Sequence, residues 1–190
     1  MEYNGLPVFS VSLEDENIFD NISLVDLPAI ETNFIRMSEE AEVKFSINSE
    51  KRIVSGPVLI PEQMIYRNDG KRQFYIKFSK EAIEQMALRF FKDHRNTEGN
   101  VMHQVEVDGV TFFESYLLNK ERNIVPIEFQ DLPEGTWFCS AKIENDEVWK
   151  LVTENKLRGF SIDAICTMTP AEEKEIETLD ELMEYLNNNK

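Results

Sequence analysis

Histidine is scarce in this 190-residue chain, which has only His94 and His103. Any chemistry that needs an imidazole near neutral pH must draw on one of these two. Positive charge is also in short supply. Lys and Arg number 20 against 36 Asp and Glu, a formal net charge of −16, and such a surface repels the phosphates of nucleic acid. Cysteine is limited to Cys139 and Cys166, both within apolar stretches and without metal-ligand spacing, so buried free thiols in a reducing compartment are expected. No apolar run approaches the roughly 20 residues of a bilayer span. Met1–Gly5 has neither the basic nor the apolar stretch of a secretory signal. A cytoplasmic protein without nucleic acid or membrane as partner is the expectation.

The content is that of a folded domain. Apolar residues make up 42% of the chain and thirteen are phenylalanine, enough for one buried core. Extended segments are expected at 7–13, 19–26, 53–61 (with a Gly56-Pro57 bulge), 101–107, 110–118, 136–143 and 160–167, and a hairpin over 66–78 turning at 68–70. Residues 32–50 read as a surface loop. Ser79 is a good N-cap for a helix whose stripe is Ile83, Met86, Ala87, Phe90 and Phe91. That helix ends at Lys92–Arg95, which makes His94 an exposed helix-end residue rather than a catalyst. Asp146 can cap a short second helix running to about Lys156. Residues 1–170 therefore form the domain. Residues 171–190 hold seven acidic side chains with Ile176, Leu179, Met183 and Leu186 along one face, an acidic amphipathic tail helix.

Asp108-Gly109 is a strong two-residue hairpin signal. If it closes a hairpin, Val107 pairs with Val110, Val105 with Phe112 and His103 with Glu114. That would set a carboxylate opposite the histidine with Cβ atoms about 5 Å apart, able to fix its tautomer and stabilise an imidazolium. The other reading is a surface ion pair at the hairpin mouth. Ser161 alternates with Phe160 and Ile162 in a short strand and shares its face with Asp163. A serine, a histidine and a carboxylate are the parts of a nucleophilic hydrolase. A satisfied buried serine is the plain structural alternative. Gly159-Phe160-Ser161-Ile162-Asp163 lacks the second glycine of a nucleophile elbow, and the chain lacks βαβ alternation, so an α/β-hydrolase is disfavoured.

Taken in order, Ser23–Ile30, Gly56–Pro61, Asn100–His103, Glu114–Tyr116 and Gly159–Ile162 resemble the prohead (capsid maturation) serine proteases of tailed bacteriophages, relatives of the herpesvirus assemblins. The similarity spans about residues 5–168. It implies an α+β fold with a mostly antiparallel β-barrel-like core and surrounding helices. It also implies an endopeptidase without metal or cofactor, acting inside the immature capsid in the host cytoplasm. There it would cut scaffold protein, major capsid protein and itself, and self-associate. Ser161 matches the family's nucleophile and His103 its general base. Assemblins use a second histidine after the serine, which this chain lacks, and the phage type generally uses a carboxylate. Glu114 is the candidate and Asp163 its rival. Asp163 also stands where some family members have glycine, and oxyanion donors would be backbone N–H groups or Arg158. The alternative within the same fold is a catalytically inactive virion or scaffold protein.

Overall fold

Strands form wherever apolar and polar side chains alternate, because a pleated chain then buries one face and leaves the other to polar partners. A computed structural model of the chain describes residues 1–12, 18–26, 45–68, 70–165 and 167–171. In chain order its first strands are β1 (Glu2–Tyr3), β2 (Leu6–Ser12), β3 (Ile18–Val25), β4 (Ser46–Asn48), β5 (Ile53–Leu59), β6 (Ile65–Asn68) and β7 (Gln73–Phe78). Helix α1 (Lys80–Lys92) follows, then β8 (Gly99–Val101), β9 (Val105–Val107), β10 (Val110–Leu117) and β11 (Trp137–Ile143). Helix α2 (Asp146–Thr153), β12 (Gly159–Ile165) and β13 (Thr167–Pro170) complete the described part. The tail helix expected over 171–190 past Ala171, the second cysteine, Cys166, and most of the loop expected over 32–50 fall outside the described residues, and Ser46–Asn48 of that loop are strand β4.

The strands make three sheets. The first has the order β1-β2-β7-β6 with β13 also on β2, the second β10-β11-β5-β4 and the third β12-β3-β8-β9. Among the described residues only β2/β7 and β3/β8 are parallel. The expected α+β fold with a barrel-like core does not form. Among the described residues strand residues far outnumber helical ones, so the protein is mostly β with two α-helices on open sheets. Closing a barrel needs edge strands that hydrogen-bond to each other. The third sheet instead ends in β12 on one side and the three-residue β9 on the other.

Aromatic rings tie the sheets to the longer helix. Phe90 of α1 meets Phe112 of β10 at 5.6 Å between ring centroids, and Phe112 meets Phe160 of β12 at 5.5 Å. All three are buried. Ser79 caps α1 as expected, its hydroxyl accepting from Ala82 N–H at 3.2 Å. Ile83, Met86 and Phe90 line the buried side, whereas Phe91 is 45% exposed. The cap of α2 lies one residue earlier than expected: Asn145 Oδ1 accepts from the N–H groups of Glu147 and Val148.

The stretch 101–107 is not one strand. Met102 and His103 take positive φ values of 57° and 58°, and Gln104 N–H donates to Val101 C=O at 3.2 Å, so the chain folds back between β8 and β9. Asp108-Gly109 then does not close the expected hairpin. The Gly109 carbonyl accepts from Glu144 and Asn145 N–H, and Asn145 Nδ2 donates to the Asp108 carbonyl. The turn therefore hands the chain from the third sheet to the second. β9 pairs with β8, and β10 with β11.

The two sheets approach each other closely at Gly99. A Cβ there would lie 2.6 Å from Val110 Cβ and 3.1 Å from the Val107 carbonyl oxygen. Gly99→Ala is expected to cost about 1–3 kcal/mol as overpacking, seen as a lowered thermal midpoint. An unchanged midpoint would mean that β8 and β10 do not meet there.

Candidate active site

The third sheet has one apolar face and one polar face. Period-2 alternation puts Phe160, Ile22 and Leu24 on the side of the aromatic core. Their neighbours Ser161, Asn21 and Ser23 then occupy the opposite side. Register continues this row across three strands, with Ser161 opposite Ser23 and Ser23 beside Asn100. All four polar residues are buried, Ser161 at 1% and Ser23 at 0% relative exposure, Asn21 and Asn100 at 7% each.

A polar side chain this deep is costly unless it is hydrogen-bonded. Ser23 Oγ lies 3.1 Å from Asn100 Oδ1 and 3.4 Å from Asn21 Oδ1. Its single proton serves one of these oxygens at a time. The sequence reading singled out Ser161 but missed Ser23, Asn21 and Asn100 as its companions. The available signal was the run Asn21-Ile22-Ser23-Leu24, polar residues at every second position of an otherwise apolar strand.

His103 stands elsewhere on the same sheet. It is exposed, in the turn that follows Asn100-Val101-Met102. Asn100 is two strands from Ser161, and the turn lies three residues further along. Two inter-strand spacings put the Cα atoms of Ser161 and Asn100 roughly 10 Å apart, with β3 between their strands. Ser161 and His103 are thus held by one sheet but not in hydrogen-bond contact. Ser161 is also nearly without exposed surface.

The sheet end that carries His103 also carries Arg158 and Asp26. Arg158 Nε donates to the Asp26 carbonyl at 2.8 Å and to Asp26 Oδ1 at 3.0 Å, and Asp26 N–H points to Met102 Sδ at 3.3 Å. The guanidinium expected as an oxyanion donor is therefore engaged with Asp26. Asp163 is placed opposite Asn21 by the strand register, and its side chain is outside the described residues.

Glu114 is brought to a different place from the one the hairpin count required. It pairs with Ser140 in the second sheet, after a bulge at Phe113. Its row continues through Ser55 to Ser46, and the Ser55 and Ser140 hydroxyls are 2.8 Å apart. Its electrostatic neighbour is Tyr116, whose phenol is pushed up to about 12 by burial and then by the Glu114 charge. The register that would set Glu114 across from His103 does not form.

Cys139 is the one cysteine among the described residues, and its surroundings argue against a role as nucleophile. It is fully buried in β11, and burial pushes its thiol up to about 12, far from the thiolate that reacts. In a Cys166→Ser background, iodoacetamide at pH 8 should modify Cys139 only after denaturant is added. Modification of the native chain at the rate of a free thiol, followed by mass spectrometry, would contradict this.

Two comparisons return nothing: no curated protein and no solved structure matches the chain. The scan of family models does match. The model described as "Putative phage serine protease XkdF" covers residues 42–170, well over half of the chain, and this span includes Asn100, His103, Glu114 and Ser161. The assemblin kinship expected from the sequence receives no support of its own. The chain belongs to the phage serine protease family that this model describes.

Proposed function

We propose that the protein is the serine endopeptidase of prohead maturation, with Ser161 as nucleophile and His103 as general base. Its substrates would be scaffold protein, major capsid protein and the protease itself, met inside the immature capsid within the host cytoplasm, where copies of the chain self-associate. Family membership supports the reaction class. One structural observation carries the choice of nucleophile: Ser161 lies in a buried row of hydroxyl and amide side chains on the sheet that also bears His103.

The chemistry follows from the side chains. Ser161 Oγ attacks the scissile carbonyl carbon and forms a C–O bond while its proton passes to the His103 imidazole. The C–N bond then breaks, the departing amine takes that proton, and water hydrolyses the acyl-enzyme. Backbone N–H groups of the β12 segment are the candidate donors to the oxyanion. The orienting carboxylate expected at Glu114 has lost its geometric support, so the proposal rests on Ser161 and His103. Strand β3 lies between the strands that lead to them, so the turn after Val101 must move toward β12 before the proton can pass.

That separation favours one other reading, a virion or scaffold protein that keeps the fold without catalysis. Co-expression with the cognate scaffold and capsid proteins separates the two. Ser161→Ala and His103→Ala should each reduce processing on the order of a thousandfold or more, leaving uncut precursors on a gel. Processing that continues unchanged in Ser161→Ala would remove the assignment.

A further inference from the structure

We propose that Ser23, anchored by Asn100, is a positioning residue for Ser161, an inference that rests on Ser161 being the reactive serine. Strand pairing makes Ser23 the direct cross-strand neighbour of Ser161 on the same face. Side chains so paired have Cβ atoms about 4.5–5.5 Å apart. Ser23 has no accessible surface, and its Oγ sits 3.1 Å from Asn100 Oδ1. The Asn100 side chain is itself 7% exposed and set by register beside Ser23.

Two consequences follow from elementary hydrogen bonding. With its proton directed toward an asparagine oxygen, Ser23 presents oxygen rather than hydrogen to its cross-strand neighbour Ser161. A hydroxyl fixed in this sense favours rotamers of Ser161 that aim its O–H along the row, toward the strand that leads to His103. Burial strengthens the effect, because no water competes for these groups. The row also explains its own composition. Valine or isoleucine at position 23 would suit a buried strand better, and a serine there leaves two asparagine oxygens to be served.

Ser23 lies outside the matched span of residues 42–170, whereas Asn100 lies inside it. The anchor therefore belongs to the part shared with the family, and the residue it holds comes from the segment before it.

The test uses the full chain and a fluorophosphonate probe. Its phosphorus forms a bond to the serine oxygen as the P–F bond breaks, with the serine proton going to the general base. Ser23→Ala and Asn100→Ala should each slow labelling about ten- to a hundredfold, at an apparent probe affinity close to that of the unaltered chain. The double variant should be no slower than either single one, because residues acting as a unit are not additive. Ser23→Thr, which keeps the hydroxyl, should recover the rate to within about threefold. Thermal melts on the same samples separate folding from reactivity. If alanine at position 23 prevents folding, Ser23→Cys replaces it, and slowed labelling is again the expected result. Labelling at the unaltered rate in Ser23→Ala or Ser23→Cys would overturn the inference, as would rate losses that multiply in the double variant. A different failure marks the underlying reading: if the unaltered chain and Ser161→Ala label alike, Ser161 is not the reactive serine.

Discussion

The position of Phe160 determines which side of β12 Ser161 can occupy. Its ring packs against Phe112 at 5.5 Å and against Phe45 at 4.5 Å between centroids, and it is 1% exposed. Successive side chains in a strand point to opposite faces, so the apolar anchor forces Ser161 onto the polar side. The same alternation on β3, with Ile22 and Leu24 in the core, forces Ser23 and Asn21 to that side too. A one-residue slip of either strand would put hydroxyls into the aromatic core and phenylalanine into the polar row. The row of serines and asparagines is thus a consequence of core packing. The polar groups then satisfy one another, because nothing on the apolar side can.

The same principle separates this row from the other hydroxyls. Ser55 and Ser140 form a close pair in the second sheet, with Glu114 next in their row. On chemical type alone, serine beside serine beside glutamate is as suggestive as the row around Ser161. What differs is the neighbourhood. The third sheet contains the only histidine that stands near a strand row of this kind among the described residues, and it is linked by three residues to Asn100. In the second sheet the Glu114 charge acts on Tyr116, whose phenol has no use as a base near neutral pH.

Much of this was legible in the sequence, and the exceptions have physical causes. Strand periodicity located β2, β5, β7, β10, β11 and β12 to within a residue or two, and Ser79 marked the start of α1, because these signals are local. The Asp108-Gly109 signal was local as well, and it misled. A turn that suits a hairpin also suits a crossover, and the choice between them was made by Asn145, 36 positions away from Gly109, whose side chain and N–H hold both turn residues. Two non-glycine residues in the left-handed region at Met102 and His103 are uncommon and have no strong sequence mark, so the split of 101–107 into two strands was invisible. Pairing Glu114 with His103 failed with it. Ser161 was found because it stands out locally, whereas Ser23 and Asn100 gain meaning only from register between strands 60 and more residues apart.

Membership of the phage serine protease family names a reaction class, and the sheet supplies a serine whose surroundings are built rather than incidental. The gap between them is access, since Ser161 is almost fully covered and His103 is exposed at the rim. The most direct measurement is to treat the full chain with a fluorophosphonate and locate the modified residue by tandem mass spectrometry. One phosphonyl adduct, on Ser161, is expected. An adduct on Ser55 or Ser140 instead, or none at all, would contradict it.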